Sequence, residues 1–117
     1  MKSFGEFISE AKLNRIDKFE IAPKSTEKQL SWYDAVEYCK NLVVDGKSDW
    51  RLPSKDELDQ MYKNKNSMPS GEKFASKWYW SSSERAATLA WFQFFSDSSQ
   101  YATNKTTKQY VRAVRSI

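Results

Sequence analysis

Asp49-Trp50-Arg51-Leu52-Pro53-Ser54, followed by Glu57-Leu58 and later by Tyr79-Trp80-Ser81-Ser82, is the stretch that decides the fold. No helical or strand period demands these residues. Pro53 disfavours helix at Leu52, so an extended segment must end there. Ser54 with Glu57 three positions on is a capping box, which opens a helix whose inward residues are Leu58, Met61 and Tyr62.

Upstream, Ser31 is the N-cap of another helix running to Leu42. Asp34 sits in its first turn, at the positive end of the helix dipole. Trp32, Ala35, Val36, Cys39 and Leu42 form its apolar stripe, and Asp45-Gly46 is a turn signal beyond it. Residues 64–72 are polar with Pro69 and Gly71, hence a surface loop. Aromatic and β-branched residues then dominate at Trp78–Trp80, Leu89–Phe95 and Gln109–Val114, which predicts strands. The expectation is an α+β domain, two helices on a small twisted antiparallel sheet with long loops.

A chain of 117 residues is one domain, large enough to bury a core unaided. Five Trp, six Tyr and seven Phe predict a core built from rings, with polar partners for their N–H and O–H groups. Mean hydropathy is −0.80, and no apolar run approaches the roughly 20 residues that span a bilayer, so no membrane is expected among the partners. Glu6 and Glu10 break up the apolar stretch of about 7 to 15 residues that a secretory signal needs. The formal charge of +4 comes from 19 basic and 15 acidic residues that are dispersed, which permits nucleic-acid binding without arguing for it.

His is absent, which removes the usual general base and the commonest metal ligand. Cys39, the lone cysteine, has no intramolecular disulfide partner and reads as a buried small hydrophobe in a reducing compartment. Asp45, Asp49, Asp56, Glu57 and Asp59 cluster in sequence and leave carboxylate catalysis formally open, yet they fall at a turn and a helix start, where acids are expected anyway. The expectations are no catalytic residue, no metal site and no cofactor.

The ordered blocks Trp32-x-x-Ala35-x-x-Tyr38-Cys39-x-x-Leu42, Asp49 to Leu58, Tyr79 to Ser82, Ala90-Trp91 and Tyr110-Val111-Arg112-x-Val114-Arg115 resemble the Legionella collagen-like protein C-terminal domain family. That family is similar to the formylglycine-generating branch of the C-type lectin-like fold, and the resemblance spans about residues 30–116. Its members often carry a cysteine where this chain has Ala113, and the resemblance implies that it partners the one in the first helix. Formylglycine chemistry relies on reactive cysteines in pairs, which one Cys39 cannot supply. Arg51, Arg112 and Arg115 read as scaffold cations bracing carbonyls and acids, and Trp50, Trp80 and Trp91 as core.

Strand alternation with Trp91 and Phe95 facing the core sends Phe92 and Phe94 outward. They then either form an exposed aromatic patch for a partner, or lie under the N-terminal helix or a loop. Arg85, in the loop 83–87, and Tyr101 and Asn104, in the stretch 97–108, complete the candidate partner surface, although both stretches also read as ordinary turns.

Residues from Phe4 to about Leu13 place Phe4, Phe7, Ile8 and Ala11 on one face of a short amphipathic helix. The first eleven residues resemble the capsid-targeting leader of internal head proteins from T-even-type phages, in which a maturation protease cuts after an Ile/Leu-x-Glu tripeptide. Ile8-Ser9-Glu10 before Ala11 matches that site. The plain alternative is a frayed terminal helix. Cleavage would remove Lys2, Glu6 and Glu10 and raise the formal charge from +4 to +5. The expected organisation is a leader at 1–10, an extension with the first strand at 11–30, and the domain proper at 31–117.

The leader implies partnership with the phage scaffold and protease, residence inside the capsid, and delivery with DNA into the host cytoplasm. There the protein would bind a host protein, a defence enzyme being one such target, without catalysis. The alternative is a receptor-binding adhesion module on the virion surface.

Overall fold

The computed structural model describes residues 14–117 of the chain. The leader and the cleavage tripeptide Ile8-Ser9-Glu10, with Ala11, lie outside the described residues.

Two helices pack on two small, curled sheets, an α+β fold. The strands are β1 (Arg15–Ile16), β2 (Phe19–Ile21), β3 (Lys28–Leu30), β4 (Trp78–Ala86), β5 (Leu89–Phe94), β6 (Gln100–Asn104), β7 (Gln109–Val111) and β8 (Val114–Ser116). The helices are α1 (Trp32–Asn41) and α2 (Lys55–Lys63). One sheet has the order β1-β2-β8 and the other β3-β7-β4-β5-β6. The larger sheet is mixed, because β4 runs parallel to β7 at Tyr79↔Tyr110 where an all-antiparallel sheet was expected. A β4–β7 crossover is invisible to a reading based on hairpins alone.

The caps form where the sequence places them. Ser31 Oγ accepts from the Asp34 amide at 3.3 Å. Ser54 Oγ accepts from the Glu57 amide at 3.1 Å while the Glu57 carboxylate accepts from the Ser54 amide at 2.8 Å, completing the box. Asp45 and Gly46 both have positive φ, at 53° and 75°, between the reciprocally bonded Val44 and Lys47. Asp-Gly is the pair that tolerates such a tight turn.

Alternation along β4 and β5 builds two cores, one on each face of the larger sheet. Trp80, Ala90 and Val111 face α1 and pack with Ala35, Cys39, Trp50, Leu52 and Ala113. Tyr79 and Phe95 face α2 and pack with Leu58, Met61, Met68, Phe19, Ile21 and Val114. Several expectations change here. Val36 is exposed rather than part of the α1 stripe, and Tyr38 takes the inward place, its hydroxyl donating to the Thr26 carbonyl at 2.6 Å. Residues 15–30 supply three short strands and the 3-10 turn Lys24–Thr26, with Phe19 and Ile21 in the core. The loop after α2 is anchored by buried Met68, and Gln100–Asn104 is a strand rather than part of a turn region.

The Pro53–Ser54 and Ser81–Ser82 blocks meet, which explains why both are needed. The Ser82 amide donates to the Pro53 carbonyl at 2.7 Å, and Ser83 Oγ accepts from the Lys55 amide at 3.0 Å. β4 shifts register between Trp80 and Glu84, and buried Ser81 serves the irregularity, its Oγ donating to the Trp91 carbonyl at 2.7 Å and accepting from the Ser83 amide at 3.0 Å.

Candidate functional site

The three arginines are scaffold groups. Arg112, 1% exposed, donates from Nε to the Ala22 carbonyl at 2.6 Å, from Nη1 to Glu27 Oε2 at 2.9 Å, and from Nη2 to the Glu72 carbonyl at 3.1 Å. Tyr79 donates its hydroxyl to the same Glu27 oxygen at 2.8 Å and accepts from the Ala75 amide. Burial, and next the negative Glu27, push the Tyr79 hydroxyl far above the ordinary tyrosine range. Arg115 bridges Asp49 and Glu20, and Arg51 grips Glu57.

The cysteine and three of the five clustered carboxylates are held by the scaffold. Cys39 is buried, and desolvation pushes its thiol up to about 12, so the thiolate nucleophile is not formed at neutral pH. Asp49 is held low chiefly by the Arg115 hydrogen bond, Glu57 by Arg51, and Asp59 by Lys63. Each is an ordinary ionised carboxylate with a cationic partner. Among the described residues no three acidic or cysteine side chains converge as metal ligands.

What remains is an aromatic surface on the α1 side of the sheet. Cross-strand register sets Trp78 opposite Phe94, Trp80 opposite Phe92, and Phe92 opposite Tyr101. Trp78 stacks on Phe94 with centroids 4.8 Å apart and planes 15° apart. Phe92 meets Trp80 edge-on at 6.5 Å and Tyr101 at 6.3 Å. Trp80 is wholly buried under α1, but the row outruns the helix, leaving Trp78 46% and Tyr101 61% exposed. Beside it Trp78, Phe92, Thr103, Thr107, Lys108 and Gln109 line a groove of about 300 Å³.

The structure therefore redistributes the expected surface. Both faces of β5 are core faces, so Phe92 and Phe94 are half-buried rather than freely outward. Trp78, not singled out in the sequence as a contact residue, carries the exposure with Tyr101. Its position opposite Phe94 depends on the β4–β5 register, which the sequence does not state. Phe92, Phe94 and Tyr101 come together. Arg85 and Asn104 do not join them: both are exposed toward the Ala86–Leu89 end of the β4–β5 ladder. Asn104 Oδ1 is used in its own turn, accepting from the Thr106 amide at 3.0 Å and hydroxyl at 2.9 Å.

The opposite face of β5 also departs from a simple core. Trp91 is half-buried beneath Lys55, whose ammonium lies 3.8 Å from the ring centroid. Gln93 is fully buried with a satisfied amide: Nε2 donates to Asp59 at 3.1 Å and Oε1 accepts from Gln100 at 3.0 Å.

No curated protein matches the chain. The Lcl C-terminal domain model matches residues 10–115, covering both cores, both helices and every strand but the last residue of β8, and the chain belongs to that family.

Proposed function

We propose that this chain is a non-catalytic protein-binding effector, packaged inside a phage head by residues 1–10 and delivered with the genome to bind a host protein. The observation that carries the binding part is the Trp78–Phe94 stack beside Tyr101, which leaves large rings in water on one sheet face of a small domain. Exposed aromatics gain much area on docking and lose little side-chain entropy, which is why they anchor protein interfaces. Lys108 at the rim adds a cation suited to an acidic partner surface. Support for packaging comes from Ile8-Ser9-Glu10 directly before Ala11, behind the Phe4, Phe7 and Ile8 face.

The binding part is tested by capture from host lysate with the chain that begins at Ala11. One host protein retained by the wild type and lost with Trp78→Ala and Tyr101→Ala, both still folded, is the expected result; equal retention by both variants removes the aromatic surface from the reading. The packaging part is tested by mass spectrometry of purified virions. A chain beginning at Ala11 inside protease-treated particles is expected. Protein removed by protease from intact particles would instead support the surface adhesion module.

A further inference from the structure

β6 is an edge of the larger sheet, and its free side is built to accept another strand. In the β5–β6 ladder Phe94 donates to the Ser99 carbonyl and Lys105 to the Thr88 carbonyl, both at 2.9 Å. Bonded pairs alternate along an antiparallel ladder, so Tyr101 and Thr103 turn their backbone groups toward β5. Gln100, Ala102 and Asn104 therefore turn theirs away. Among the described residues nothing bonds the amide or carbonyl of Gln100 or Ala102, or the Asn104 amide; the Asn104 carbonyl accepts from Thr107 in the turn that follows.

Open edges are normally blunted by charge, proline or a bulge. The other edge strands each carry a cation: Arg15 in β1, Lys28 in β3 and Arg115 in β8. β6, Gln100-Tyr101-Ala102-Thr103-Asn104, carries none, and it holds no proline and no register shift. In a chain that is 29% charged, an uncharged, regular edge requires a reason.

We infer that β6 pairs antiparallel with β6 of a second copy, about a twofold axis through Ala102, joining two five-stranded sheets into one. Symmetry selects this occupant. At a twofold axis every residue meets its own counterpart or that counterpart's near neighbour, so an edge carrying charge of one sign would repel itself, whereas this uncharged one does not. Ala102 faces Ala102 of the second copy with both backbone bonds made, Gln100 faces Asn104, and Tyr101 faces Thr103. The last is an aromatic and β-branched pair, a favoured cross-strand combination. It would cover Tyr101, the more exposed ring of the aromatic row. The inference does not depend on a host partner.

The test is the oligomeric state of the full chain by sedimentation, with three variants. The wild type is expected to approach twice the 13.7 kDa of one chain as concentration rises, with amide exchange at Gln100, Ala102 and Asn104 slowing in parallel. Ala102→Pro removes the central donor at an edge position where proline is tolerated, and should weaken self-association at least about tenfold. Ala102→Lys keeps that donor and places like charges face to face, so it should also dissociate the dimer if Ala102→Pro does not fold. Ala102→Cys should form a disulfide with its own counterpart, since bonded antiparallel pairs lie about 5.5 Å apart. Gln100→Cys, displaced from the axis, should not.

A chain that stays monomeric at millimolar concentration, a dimer undisturbed by Ala102→Lys, or equal cross-linking of the two cysteine variants would each overturn the inference. Protection of the β6 amides in a monomer, or only on adding another protein, would assign the edge to a different strand and overturn it as well.

Discussion

Arg51 and Glu57 form a two-pronged ion pair, Nη1 to Oε1 at 2.7 Å and Nη2 to Oε2 at 2.9 Å, across the join between the Arg51–Val114 bridge and α2. Arg51 Nη2 also donates to Ser116 Oγ at 2.9 Å, and Glu57 Oε1 also accepts from the Ser54 amide. One carboxylate thus caps a helix and ties its start to the C-terminal strand.

Because the two roles share one side chain, substitutions separate them. Glu57→Gln keeps an oxygen for the Ser54 amide but removes the charge, whereas Glu57→Ala removes both and should cost about 1–2 kcal/mol at neutral pH, more than Glu57→Gln. The Arg51 hydrogen bond holds the Glu57 carboxyl below its ordinary range, so its contribution to stability is present above the unfolded value of about 4.3 and is lost as pH falls through the lower folded value. The gap between wild type and Glu57→Gln in urea denaturation should therefore close on acidification below about pH 4. A gap independent of pH would show that the charge contributes nothing.

Arg112 is the cation the fold depends on most. Replacing it with alanine leaves Glu27, itself nearly buried and already accepting from Tyr79, with only the more exposed Lys24 ammonium at 3.4 Å as counter-ion, and strands the Ala22 carbonyl. Breaking one side of a buried pair costs about 3–5 kcal/mol. Arg112→Lys should recover only part of this, because an ammonium cannot reach Ala22, Glu27 and Glu72 together as the guanidinium does. Denaturation midpoints of the two variants check the order, and a lysine variant as stable as wild type would contradict it.

The features legible in the sequence were those with local causes. Ser31, Ser54 with Glu57, and Asp45-Gly46 act on backbone within a turn of themselves, so spacing alone reveals them. β3 and β6 were missed because Lys28-Gln29-Leu30 and Gln100 to Asn104 have no apolar alternation; pairing with β7 and β5 makes them strands. The two-sided burial of β5 was missed for a related reason. With α1 on one face and α2 on the other, Phe92 and Phe95 are both inward, and a one-sided rule has to expose one of them. Trp78 could be found only once its register with Phe94 was known.

Cys39 should behave as packing material. It lies in the same buried cluster as Ala113, and its thiol is pushed up to about 12 by desolvation. Alkylation of the native chain should be slow at pH 8 and should follow unfolding when urea is added, as expected when only the opened chain exposes a thiolate. Cys39→Ser should lower stability by about 1–3 kcal/mol if its hydroxyl is buried without a partner. Rapid, complete labelling of the native chain would mean that the α1 core opens readily.

Trp78 and Trp80 sit two positions apart on one strand face, and loss of the ring should cost far more at Trp80 than at Trp78. Trp80 is fully buried with its indole donating to the Leu30 carbonyl at 2.9 Å, so Trp80→Ala removes core volume and a bond and should cost about 3–5 kcal/mol. Trp78 is nearly half exposed and, among the described residues, stacks on the ring of Phe94 alone, so Trp78→Ala should cost about 1 kcal/mol, the worth of one partly solvated stacked pair. Guanidinium denaturation followed by the remaining tryptophans measures both. If the two costs prove equal, Trp78 belongs to the core and its use in docking is excluded; if they differ as expected, a ring this large is held in water at little benefit to the fold.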